Sequence, residues 1–247
     1  MKKTETTPET TAVTTALNVD FKDENGLWLT NGKTLRKLIG ILGMALPLLL
    51  FLFLYIDNGM THPLPSISHY YYTRVSSIFV GILSILGIFL IIYKGKEPID
   101  FFVSVGAGLF VLCVVCFPTG NITTICQDPD KLFSVTILRA SAFREGFHYA
   151  SAGIFLGCLT YMSLFLFTKS DKSPSKRGSK KKIRNRIYRI CGVLMIIAIL
   201  VIFAGFLKLI PEPFYSDNSL TYWMETLAVE SFGFSWLIKG EAVLEDA

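Results

Sequence analysis

Charge is scarce in this chain. Asp, Glu, Lys and Arg supply only 17% of its 247 residues, whereas 51% are hydrophobic, a balance foreign to an ordinary soluble domain. Histidine is rarer still: there are three, and they form no H-E-x-x-H or related zinc pattern. The five cysteines show no metal-ligand spacing either. The first residues hold no apolar core of a signal peptide, and no internal repeat marks an inverted-repeat transporter. These absences argue against a soluble core, a zinc module and a cleaved leader. They leave no metal or cofactor to be expected.

Long apolar stretches fill the space. Six of them, Leu35–Ile56, Val75–Tyr93, Asp100–Pro118, His148–Thr168, Ile190–Ile210 and Tyr222–Leu237, mostly approach the ~20 residues that cross a hydrocarbon core about 30 Å thick. A backbone in lipid must satisfy its own hydrogen bonds, so each should be a helix. The expected fold is an all-α integral membrane bundle of six transmembrane helices over residues 34–240. A threonine-rich disordered tail, 1–33, precedes it, with Leu27–Leu29 touching the membrane surface, and a short terminus, 241–247, follows.

The formal charge of +5 is explained by topology and needs no nucleic-acid partner. Apart from Arg74, Lys131, Arg139, Arg144 and Lys208, every basic residue falls in the tail and the start of the first span (up to Lys37), the 94–98 turn, the 169–189 loop or at Lys239 next to the C-terminus. Positive charge stays cytoplasmic during insertion, so both termini are expected inside. The Lys176–Arg189 block would also lie against anionic headgroups, at about 1 kcal/mol per basic residue. The expected location is the cell membrane, as in a bacterial inner membrane. Asn121-Ile122-Thr123 is a glycosylation sequon only in a eukaryotic source, which nothing else indicates.

Local signals refine the picture. Pro47 should kink the first span. Ser77, Gly81 and Ser84 share one helical face, and Gly153 and Gly157 share another. Small residues at that spacing let helices approach closely, within the chain or in a homo-oligomer. Cys116 and Cys126 are a disulfide candidate on the outer side. The Phe133–Gly153 stretch has no breaker before Gly146 and reads as an interfacial helix, and Pro211–Thr221 reads as a tight turn.

Ionisable groups inside a membrane are costly and therefore functional candidates. Glu230, in the sixth span, is the clearest. It fits an interhelical hydrogen bond, a proton or ion relay, or a ligand contact. Glu225 lies nearer the outer surface and is expected to be hydrated. A second set gathers at the outer helix ends: Asp57, then Ser66, Ser68, His69, Tyr70–Tyr72 and Arg74, then Arg144, Glu145 and His148. Glu145 and His148 share a helical face. His69 and His148 could meet a carboxylate as an acid–base pair or metal site, or serve as hydrogen-bonded interfacial residues. The tyrosines, Tyr222, Trp223 and Trp236 fit headgroup-level anchors. Arg74, Arg139 and Arg144 could hold a lipid phosphate through bidentate contacts.

The run PSISHYYYTRVSSIFVGILSILGIFLIIYKG, then CFPT, then HYASAGIFLGCLTYMSLFLFT and the closing Glu230–Gly240 segment resemble a group of uncharacterised bacterial six-helix membrane proteins. More distantly, Pro65-Ser66-Ile67-Ser68 and a histidine opening span four are similar to the DRAM (damage-regulated autophagy modulator) family and to the membrane domains of GPI-anchor lipid-remodelling proteins. The matching positions are Pro65, Ser66, Ser68, Tyr70, Tyr71, Pro118, His148 and Glu230. His69 departs from the pattern, where a small residue is expected. The resemblance implies membrane-lipid handling and assigns no catalytic residue.

The expected function is thus a multi-pass, lipid-associated membrane protein, non-enzymatic before enzymatic. Ser66, Ser68, Tyr71, Arg144 and His148 would rim an outer-leaflet polar pocket, with Glu230 deeper. One alternative is a membrane-embedded hydrolase or transferase using His148 with Glu145 or Asp57. Another is a proton-coupled transporter or channel using Glu230.

Overall fold

A computed structural model describes residues 32–95, 97–122, 135–169 and 178–242. The proposed tail up to residue 31, Cys126 and the end of the chain from residue 243 lie outside them. Among the described residues every element is helical: α1 (Gly32–Asn58), a 3₁₀-helix (Ile67–Tyr72), α2 (Ser76–Ile92), α3 (Pro98–Cys116), α4 (Ala142–Tyr161) continued by a π-helical turn (Met162–Leu166), α5 (Ser179–Phe206), a short α6 (Glu212–Asp217) and α7 (Leu220–Lys239). Four helical segments, Gly32–Asp57, Pro98–Cys116, Ala142–Leu166 and Ser179–Phe206, are long and apolar enough to cross a membrane. Helix α2 is equally apolar but has 17 residues. Helix α7 has 20 and carries two carboxylates, Glu225 and Glu230.

The helix starts follow from their sequences. Pro98 sits in the first turn of α3, where its missing N–H costs nothing, and Glu97 and Asp100 form a reciprocal capping box. Ser141 caps α4 by accepting from Arg144 N at 3.3 Å. That cap starts the helix at Ala142: of the stretch expected to form an interfacial helix, residues 135–141 are not helical, and residues 142–153 belong to α4 itself. Helix α5 begins at Ser179 and not near Ile190: lysine and arginine are good helix formers, and the helix of the apolar run continues back through the basic block. The 211–221 connection holds α6 and is more than a tight turn. Pro47 lies inside α1, which continues past it to Asn58.

The long helices form a closed ring. α1 packs on α2, α2 on α3, α3 on α4 and α4 on α5; α7 then closes the circle by packing on both α5 and α1. Glycine sets two of these contacts. A Cβ on Gly40 would lie 2.7 Å from the Gly233 carbonyl oxygen, and one on Gly108 would lie 2.6 Å from that of Gly87. Gly81, Gly153 and Gly157 have open space where a Cβ would be, so none of them sets a close helix contact among the described residues. Hydroxyls add polar joints in the interior: Ser163 Oγ donates to the Tyr188 carbonyl at 2.9 Å and lies 2.9 Å from Ser235 Oγ.

One end of the ring is closed by charge and aromatic faces. Lys33 pairs with Glu241 at 2.6 Å, and Lys169 with Glu97 at 2.5 Å. Arg36 lies over Tyr93, and Lys239 over Phe167. Trp236 is not an interfacial anchor as expected. It is fully buried and meets Tyr93, Phe167 and Phe232 with ring centroids 4.8, 5.2 and 5.9 Å away. The other end is closed by the loop between α1 and α2, where the candidate site is found.

Candidate functional site

Two prolines stiffen this loop and leave their carbonyls for other partners, and both bond to the start of α7. The Pro63 carbonyl accepts from Ser219 Oγ at 3.1 Å, and the Pro65 carbonyl accepts from Tyr222 N at 3.0 Å. The 3₁₀-helix follows, and its first amide, Ile67 N, donates to Glu225 Oε2 at 2.6 Å. Tyr222 O–H then reaches across to the Pro47 carbonyl at 3.1 Å, and its ring lies 6.0 Å from that of Tyr70. Glu225 is therefore not simply hydrated, as its position had indicated. It accepts from an amide 158 positions away, a pairing with no local signal in the sequence.

With the loop fixed, its serines and histidines pair. Ser66 Oγ lies 2.6 Å from His69 Nδ1 within the loop. Ser68 Oγ lies 3.0 Å from His148 Nε2, near the start of α4. The other nitrogen, His148 Nδ1, is 2.8 Å from the Phe117 carbonyl oxygen. A carbonyl can only accept, so Nδ1 carries the proton and the neutral ring presents Nε2 as the acceptor for the Ser68 hydroxyl. Ser68 and His148 are both buried. Burial lowers the His69 pKa to about 4, with repulsion from His148 added when that ring is protonated as well.

Arg144 serves the same end of the molecule differently. Its Nε donates to the Pro118 carbonyl at 3.1 Å and its Nη1 to that of Arg139 at 2.6 Å, while Nη2 lies 3.7 Å from Glu145 Oε1. Asn121 joins the same two segments through both side-chain atoms, giving to the Leu138 carbonyl at 2.6 Å and accepting from Leu138 N at 3.0 Å. The Tyr72 hydroxyl donates to the Thr119 carbonyl. Tyr71 is half-buried, edge-on to Tyr72 and Phe79.

The expected residues thus fall into two groups. Ser66, Ser68, His69 and His148 come together, with Glu225 as the unforeseen member. Asp57 lies 3.6 Å from Arg74, and Glu145 beside Arg144; both nitrogens of His148 are taken by Ser68 and Phe117, so neither carboxylate is its partner. Glu230 is half-buried and makes no hydrogen bond or ion pair among the described residues. Cys116 is an exposed free thiol. Among the described residues no group of three or more His, Cys, Asp and Glu side chains could hold a metal ion.

Chemically, the arrangement offers a serine hydroxyl on a neutral imidazole whose tautomer is fixed, with a second Ser–His pair and a carboxylate beside it. No protein-family model, curated protein or solved structure matches this chain.

Proposed function

We propose that this chain is a six-span, lipid-associated membrane protein with both termini on the cytoplasmic side and a polar outer-leaflet site. Ser66, Ser68, Tyr71, His69, Arg144, His148 and Glu225 form the site, with Glu230 deeper. The observation that carries the reading is the convergence of Ser66, Ser68, His69, His148 and Glu225 from three separate segments at one end of the ring. The basic helix ends lie at the other, which the positive-inside rule assigns to the cytoplasm. Helices α2 and α7 count as spans because each has a place in the closed ring beside the four long ones, and a helix near 17 residues is at the lower limit for crossing. The distant resemblance of Pro65-Ser66-Ile67-Ser68 and His148 to lipid-handling membrane families supports the same reading.

The test is phospholipid co-purification. Wild-type protein should retain bound phospholipid, and Arg144→Ala should lower the amount per folded molecule, even though it also gives up the bonds to Pro118 and Arg139. Equal lipid content in the two proteins would remove the reading.

A second reading rests on its own observation. Ser68 Oγ at 3.0 Å from His148 Nε2, with Phe117 holding the ring, is the geometry of a nucleophile beside its general base. The chain would then be a membrane-embedded hydrolase or transferase acting through Ser68. Labelling by a fluorophosphonate probe should occur on wild type and vanish in both Ser68→Ala and His148→Ala. No labelling of wild type would count against it.

A further inference from the structure

The opposite end of the molecule carries a second feature. A groove of about 640 Å³ runs along α5, lined by Lys182, Asn185, Arg186, Arg189, Ile190, Val193 and Leu194. Its two halves differ in chemistry. Lys182, Arg186 and Arg189 stand in one stripe at helical spacing, and none of them has a hydrogen bond or ion pair among the described residues. Like charges at i and i+4 repel by a few tenths of a kcal/mol unless an anion lies between them. From Ile190 to Phe206 the helix has no charged residue. The stripe from Lys182 to Leu194 rises about 18 Å at 1.5 Å per residue, enough to pass from headgroup level into hydrocarbon.

Asn185 adds an independent sign of a ligand. It lines the groove but is only 6% exposed. Its Nδ2 donates to the Thr168 carbonyl at 3.1 Å, while its Oδ1 is buried with no hydrogen-bond partner. A buried acceptor left unsatisfied is costly, and a ligand seated in the groove that Asn185 lines can supply the missing donor. The neighbouring cations call for an anion in the same place.

We propose that this groove binds one glycerophospholipid from the leaflet at the basic end of the bundle, of the anionic, hydroxyl-bearing kind exemplified by phosphatidylglycerol. Its phosphate lies between Arg186 and Arg189 with Lys182 nearby. A headgroup hydroxyl donates to Asn185 Oδ1, and the first acyl carbons lie along Ile190, Val193 and Leu194. The site shares no residue with the Ser–His cluster and does not depend on the function assigned to that end.

The test uses the full-length protein, delipidated in detergent and titrated with single lipids while native mass spectrometry counts those bound. Phosphatidylglycerol should bind the groove at one copy beyond any held at the outer-leaflet site, a copy that Arg144→Ala retains, with phosphatidylmethanol (anionic, with no headgroup donor) binding more weakly and zwitterionic phosphatidylcholine weakest. Arg186→Ala, at an exposed position with no hydrogen bond or ion pair among the described residues, should weaken phosphatidylglycerol binding about tenfold. Asn185→Leu should erase the preference for phosphatidylglycerol over phosphatidylmethanol. Arg144→Ala, at the far end, should leave this binding unchanged, which separates failure here from failure of the outer-leaflet reading. Equal binding of the three lipids, absence of phosphatidylglycerol binding, or wild-type affinity in Arg186→Ala would overturn the assignment.

Discussion

Ser68 Oγ and His148 Nε2 meet at 3.0 Å across eighty positions of sequence, tying the loop before α2 to the start of α4. The imidazole also holds the Phe117 carbonyl at the end of α3, so one side chain joins three segments. His148→Ala leaves both a buried hydroxyl and a carbonyl without their partner, whereas Ser68→Ala leaves only the ring nitrogen. Each lost bond costs on the order of 1 kcal/mol. Thermal unfolding in detergent should therefore show His148→Ala the less stable of the two, by roughly that amount. The reverse order would mean that the ring is not the junction.

His69 gives the site a pH dependence. Its pKa is lowered from 6.5 to about 4 by burial, with the His148 ring adding to the effect. Between those values the unfolded chain binds a proton that the folded chain does not, so stability rises with pH. The contribution is complete above about 6.5 and is lost as pH falls toward 4, with a ceiling of about 3 kcal/mol. The measurement is the unfolding temperature across that window for wild type and for His69→Asn, which can still hydrogen-bond Ser66. The variant should show a shallower acid slope, and identical slopes would assign the dependence to other groups.

Glu225 is tested by shape against charge. Its Oε2 accepts from Ile67 N at 2.6 Å, and an amide oxygen can accept the same bond. Glu225→Gln should remain within about 0.5 kcal/mol of wild type, whereas Glu225→Leu strands a backbone donor at a cost of about 1–3 kcal/mol. Equal losses in both variants would show that the negative charge matters, and not the acceptor alone.

How much of this the sequence disclosed depends on the range of the interaction involved. The apolar runs located the long helices because lipid demands a continuous stretch of fixed length. Ser66, Ser68 and His148 could be singled out because they flank those runs. The partner of each could not: His148 stands three residues from Glu145, a spacing that promised a pair, yet its nitrogens turn to Ser68 and Phe117. Glu225 was misjudged for the same reason, since only the folded loop brings Ile67 N to it. Helix packing shows the limit again. Gly153 and Gly157 form as good a small-residue pattern as any here but face open space, because periodicity identifies a face without saying what lies opposite.

The α1–α7 contact turns that last distinction into a measurement. A Cβ on Gly40 would stand 2.7 Å from the Gly233 carbonyl oxygen, a backbone atom that cannot yield unless the two helices separate. Gly40→Ala should thus cost about 1–3 kcal/mol, the usual range for overpacking. A Cβ on Gly153 meets nothing within 4 Å. There the same substitution gains helix propensity and should be neutral or stabilising by up to about 1 kcal/mol. Both variants add one methyl group to an apolar helix, so their difference in detergent unfolding isolates the packing. A loss in Gly153→Ala would have a separate meaning: that face would then be occupied in the protein as purified, by a second copy of the chain. Equal stability of Gly40→Ala and wild type would mean that α7 does not close the ring against α1 as described.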